Sequence, residues 1–113
     1  MQEKVIVAVD AMGGDNAPAE IVKGVVDAVS QSENVIVKLV GQENVVSEEL
    51  KKYTYRESAI EIVNATEVIE TGEPPVMAIR RKKDSSIVVG LNLVKKGEAD
   101  AFVSAGSSGA ILV

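Results

Sequence analysis

The run Val5-Ile6-Val7-Ala8-Val9 constrains the fold more than any other stretch of the chain. It is apolar without alternation and closes at Asp10, so it reads as a strand buried on both faces. A strand covered on both sides belongs to a sheet with helices on each face, and such sheets are mostly parallel.

The segments that follow agree with that expectation. Ala11-Met12-Gly13-Gly14-Asp15-Asn16 reads as a loop. Pro18 suits the first turn of a helix, with Asn16 or Ala17 near the cap and Glu20 favourable to the dipole. Ile21, Val22, Val25, Val26 and Val29 then fall on one helical face. Val35 to Val40 is a second strand stopped at Gly41, Glu43 to Lys52 a weaker helix, and Ile60 to Val63 a short third strand. Strand alternating with helix predicts right-handed crossovers and a three-layer α/β fold.

Thr66 to Pro75 is less regular. Pro75 can open a short helix through Val76 and Ile79 that runs into Arg80-Arg81-Lys82-Lys83. Ser85 or Ser86 caps the next helix, in which Ile87, Val88, Leu91 and Val94 share a face; Lys95 and Lys96 suit its last turn and Gly97 its C-cap. Asp100 to Ser104 is the fourth strand, and Ser107 should open another helix. The sequence ends inside that helix, so residues 1–113 are expected to be the N-terminal part of a single larger α/β domain.

Composition narrows the function. A hydrophobic share of 46% with only 3% aromatic residues leaves packing to Val, Ile, Leu and Ala. Twelve basic against seventeen acidic residues give a net charge of −5, which argues against broad nucleic-acid binding. There is no Cys, hence no disulfide or thiol nucleophile, and no His, the commonest general base and metal ligand. No signal peptide is visible, and no apolar run approaches the roughly 20 residues of a membrane helix.

In a parallel sheet, ligands bind beyond the carboxyl ends of the strands. Two glycine-containing loops should open there. In the first, Gly13 and Gly14 permit close approach of a ligand, and Asp10 and Asp15 are carboxylates near it. Neither a dinucleotide fingerprint nor a P-loop is present. Asp10 can equally end a strand, and Asp15 can help cap a helix. In the second, Gly106-Ser107-Ser108-Gly109 at a helix start presents amides and hydroxyls to an anion. The same residues also fit a plain serine cap, or a nucleophile elbow that lacks its last Gly and any His. Of the four consecutive cations Arg80 to Lys83, at least two should face solvent, while one or two can turn toward the sheet edge.

"AVDAMGGDNAP", "RRKKDSS" and "SAGSSGA", in that order, resemble the bacterial phosphate acyltransferases of phospholipid synthesis, the PlsX family. The resemblance runs from about Val5 to Val113. Ser107 and Ser108 stand where the family usually has Asn and Thr; Ser108 keeps the hydroxyl. Family members are much longer.

The resemblance implies an enzyme that moves a fatty acyl group from acyl carrier protein to inorganic phosphate. It implies a fold similar to isocitrate- and isopropylmalate-type dehydrogenases, no cofactor, a homodimer, and a cytoplasmic protein peripherally associated with the membrane. On that reading Asp10, Asp15 and Lys83 are the candidate catalytic residues. Gly13, Gly14, Arg80, Ser104, Gly106, Ser107, Ser108 and Gly109 are the candidate phosphate- or substrate-binding residues, and no metal is expected. The other reading open to the residues is a non-catalytic phosphate- or nucleotide-binding α/β module. The isolated 113 residues are expected to be inactive.

Overall fold

A computed structural model of the chain describes residues 4–13, 17–68, 77 and 80–104. Its elements follow the alternation of the sequence: β1 (Val5–Asp10), α1 (Ala19–Gln31), β2 (Val35–Gly41), α2 (Glu43–Leu50), β3 (Ile60–Asn64), α3 (Ser86–Lys95) and β4 (Ala101–Val103). A short 3₁₀ turn, Glu57–Ala59, leads into β3. The strands form one sheet in the order β3-β2-β1-β4, and every pairing is parallel.

Leu39 and Val40 show why this sheet has two cores. They are adjacent in β2, so their side chains leave opposite faces, and both are fully buried. Leu39 packs with Val22, Val25, Val26 and Val29 of α1 and with Val46 and Leu50 of α2. Val40 joins Ala8, Ala65, Leu93 and Ala99, with Ile6, Val63 and Phe102 around them. Helices α1 and α2 thus cover one face and α3 the other, the expected three layers. Burying a side chain of this size contributes about 1.5–3 kcal/mol, so the two clusters supply most of the driving force.

The helix ends are closed by particular residues. Arg56 Nη2 donates to the carbonyls of Val29 (2.8 Å) and Ser32 (3.1 Å), taking up orphan acceptors at the end of α1. The Asn64 side chain accepts from Glu43 N at 3.0 Å, which serves a donor at the start of α2. Ser85 caps α3 and accepts from Val88 N at 3.2 Å. At the other end of α3, Gly97 takes a φ of 79°, and Gly97 N and Glu98 N donate to the carbonyls of Val94 and Leu93. That pair of bonds is the Schellman arrangement.

Two boundaries and one face differ from the sequence reading. Pro18 is itself the cap position of α1, and α2 stops at Leu50, where Lys51 to Tyr53 tighten into a turn. On α3 the buried positions are Ser86, Ile87, Gly90 and Leu93; Val88, Leu91 and Val94 are half-buried. Apolar residues surround this helix almost completely, so period alone does not single out a stripe. Gly90 does: a Cβ there would overlap the Phe102 ring, and only a bare Cα lets α3 approach β4 so closely. The helix read from Pro75 lies mostly outside the described residues, within which Met77, Arg80 and Arg81 are helical and exposed. The helix read from Ser107 lies wholly outside them.

Candidate functional site

The connections from β1 to β2 and from β2 to β3 step across the sheet in one direction, while the connection from β3 to β4 returns past β1. The winding therefore reverses between β1 and β4. In open α/β sheets this is where a crevice forms beyond the carboxyl ends of the strands.

Register puts Val9 opposite Val103, so Asp10 and Ser104 come next on the two strands. They touch. Ser104 Oγ donates to Asp10 Oδ2 at 2.8 Å, and Met12 N donates to Asp10 Oδ1 at 2.9 Å. Asp10 is 1% exposed, so this carboxyl group is held inside the protein with an internal donor on each oxygen. Its bond to Met12 is a local turn of the kind Asp often makes; its bond to Ser104 reaches across the sheet.

The loop after β1 is anchored further by Ala11 N, which donates to Val40 O at 2.9 Å, and Ala11 is fully buried. Met12 then folds over the end of β2. A Cβ on Gly41 would lie 2.9 Å from Met12 Cγ, so this close approach needs glycine at 41. Gly13, next in the chain, is buried. Gly14 and Asp15 lie outside the described residues, as do Gly106, Ser107, Ser108 and Gly109.

Structure separates the cations that sequence leaves equivalent. Arg80, Arg81 and Lys83 are exposed, whereas Lys82 is half-buried and its Nζ donates to Val68 O at 2.7 Å. This ties the basic run to the chain leaving β3. Thr66 N and Oγ1 both donate to Asp84 Oδ2, at 3.0 and 2.6 Å, and Glu67 pairs with Ser85 in an isolated parallel bridge. The Thr66 bonds, from the hydroxyl first and the amide second, hold the Asp84 carboxyl below its usual pKa. Sequence reasoning missed this latch and the Asn64 cap. Their signal is the pair of polar residues, Asn64 and Thr66, that follows the apolar run of β3.

Two cavities lie against the sheet, and neither has Asp10 or Ser104 in its wall. A polar one of about 730 Å³ opens beyond β2 and β3, lined by Gln42, Glu43, Asn44, Ser47, Asn64 and Thr66. An apolar one of about 350 Å³ runs between α1 and the sheet, with Val7, Val25 and Val103 among its walls. Among the described residues no group of three or more acidic side chains is placed to hold a metal ion. Among them, too, no helix is long and apolar enough to cross a membrane.

Comparison with known proteins gives this geometry a context. The family model described as "Fatty acid synthesis protein" matches residues 5–113. The phosphate acyltransferase of Clostridium acetobutylicum is 53% identical over 107 residues, which is 95% of this chain and 32% of that protein. That of Clostridium botulinum strain Alaska E43 is 53% identical over 106 residues, 94% of this chain and 32% of its own length. That of Clostridium kluyveri is 52% identical over 108 residues, with shares of 95% and 32%. The chain spans about a third of the length of the curated relatives it matches. A match over nearly every residue, at about half identity, makes the chain a member of the fatty acid synthesis protein family.

Proposed function

We propose that this chain forms part of an enzyme that transfers a fatty acyl group from acyl carrier protein to inorganic phosphate. The observation that carries the reading is the contact between Asp10 and Ser104, which joins the ends of β1 and β4 at the point where the sheet's winding reverses. The relatives' printed name, phosphate acyltransferase, supports it.

The chemistry needs no enzyme nucleophile. A phosphate oxygen attacks the thioester carbonyl carbon and forms the new C–O bond, while the carbonyl electrons move onto oxygen. The tetrahedral species collapses, the C–S bond breaks, and the carrier thiolate leaves and takes up a proton. Acyl phosphate and free carrier protein are the products. The protein's part is to hold the anion against the acyl carbon and to stabilise the oxyanion. On this reading backbone amides and hydroxyls of Gly106 to Gly109 serve as the phosphate cradle, Gly13, Gly14 and Asp15 line the same cleft, and Arg80 or Lys83 counters charge.

On the same reading the complete protein is a cytoplasmic homodimer, peripherally associated with the membrane, in a larger dehydrogenase-like α/β architecture. The test is phosphate-dependent release of carrier protein from acyl carrier protein by the complete polypeptide. Ser108→Ala and Gly106→Val should raise the KM for phosphate or abolish turnover. Normal phosphate kinetics in both variants removes the cradle, and phosphate binding without turnover removes the enzyme.

A further inference from the structure

The geometry points to Asp10 as a positioning residue: it fixes the spacing of the chain segments that leave β1 and β4, and neither exchanges a proton nor touches phosphate. This deepens the acyl-transfer reading and rests on it.

A proton-transferring group must come within hydrogen-bond reach of the reacting atom, directly or through one water. Asp10 is 1% exposed, and both of its oxygens accept from inside the protein, Oδ1 from Met12 N and Oδ2 from Ser104 Oγ. One carboxyl group therefore grips the backbone two residues past the end of β1 and the side chain directly after β4. The strands themselves do not hold these points together. The ladder between β1 and β4 joins three residue pairs, Val7–Ala101 to Val9–Val103, and ends one position short of Asp10 and Ser104. Asp10 carries the connection past the end of the ladder. A displacement of about 1 Å at a reacting centre costs roughly a hundredfold in rate, so a clasp at this place governs turnover without entering the chemistry.

Positioning and proton exchange part company in the amide variant. Asparagine keeps the shape of Asp10, accepts from Met12 N through Oδ1 and donates to the Ser104 hydroxyl through Nδ2. It retains both ends of the clasp and discards the carboxylate.

The experiment measures acyl-phosphate formation by the complete polypeptide and its Asp10→Asn, Asp10→Ala and Ser104→Ala variants, with hydrogen exchange at the Met12 amide alongside. Positioning is supported if kcat in Asp10→Asn stays within about tenfold of the parent while Asp10→Ala loses about a hundredfold or more. It is supported independently if Ser104→Ala speeds Met12 amide exchange by about fivefold or more. A loss of more than about tenfold in folded Asp10→Asn overturns it, because the carboxylate itself is then required. If Asp10→Ala does not fold, Asp10→Asn and Ser104→Ala decide. If the parent forms no acyl phosphate, the acyl-transfer reading fails by itself. Met12 exchange still judges the clasp, and unchanged exchange in Ser104→Ala overturns it.

Discussion

Thr66 and Asp84 form a two-point latch: the backbone N and the hydroxyl of Thr66 both donate to the same carboxylate oxygen of Asp84, at 3.0 and 2.6 Å. The latch fastens the chain leaving β3 to the chain entering α3, next to the Glu67–Ser85 bridge.

Its pH dependence has a definite sign. The two bonds lower the Asp84 pKa in the folded state. A lowered folded-state value contributes stability that is complete above the unfolded carboxylate range. That contribution is lost as pH falls through the folded-state value. Thr66→Val should therefore narrow the gap in stability between neutral and strongly acidic solution. Urea denaturation at both pH values reads the change; an equal loss at both would show that Asp84 does not titrate through this latch.

Two helix glycines should respond in opposite directions to alanine. Gly24, exposed in α1, has nothing within 4 Å of an added Cβ, so Gly24→Ala should stabilise by about 0.5–1 kcal/mol. Gly90→Ala drives a methyl into the Phe102 ring. Overpacking costs about 1–3 kcal/mol, which outweighs alanine's gain of about 1 kcal/mol in a helix. Thermal denaturation ranks the two, and Phe102→Leu in the Gly90→Ala background should recover part of the loss.

Gly97→Ala isolates backbone strain. An added Cβ meets nothing within 4 Å, yet the residue sits at φ 79°. The expected loss is about 1 kcal/mol, the cost of holding alanine in the left-handed region. Gly97→Asn should lose less, since Asn tolerates that conformation better.

Ser85→Ala removes the acceptor of Val88 N in a residue that is fully buried. A loss of about 1–2 kcal/mol is expected. Ser85→Asp, which restores an acceptor, should recover part of it. Chemical denaturation of the three proteins measures both steps.

Local pattern made some of this molecule legible. The uninterrupted apolar run of β1 and the valine stripe of α1 specify a doubly covered strand and the helix that covers one side. Asp10 stands out because it closes such a run. Its pairing with Ser104 does not, because strand order is not a local property: β4 follows β3 in the chain but pairs with β1. Nothing near Ser104 encodes that. The buried face of α3 was hidden for another reason. Valines and leucines surround the helix, and the face is set by the absence of a side chain at Gly90, meaningful only opposite Phe102. The Thr66–Asp84 latch joins residues 18 apart through polar atoms, which hydrophobic period does not register. Asp15, Gly14 and the stretch from Gly106 to Gly109 remain sequence readings.

The strand order also sets a timetable. Strands β1, β2 and β3, with α1 and α2, are complete once synthesis has passed Asn64, and every pairing among them joins neighbours in chain order. Asp10 is made before α1 but waits for Ser104, 94 positions later, before its second oxygen is engaged. The early half can condense during synthesis, while the edge of β1 that β4 will occupy stays open until α3 has been made. A pause in translation after β3 would thus hold a sheet with its clasp unfastened, and the growing chain would be most vulnerable to wrong partners along that one margin.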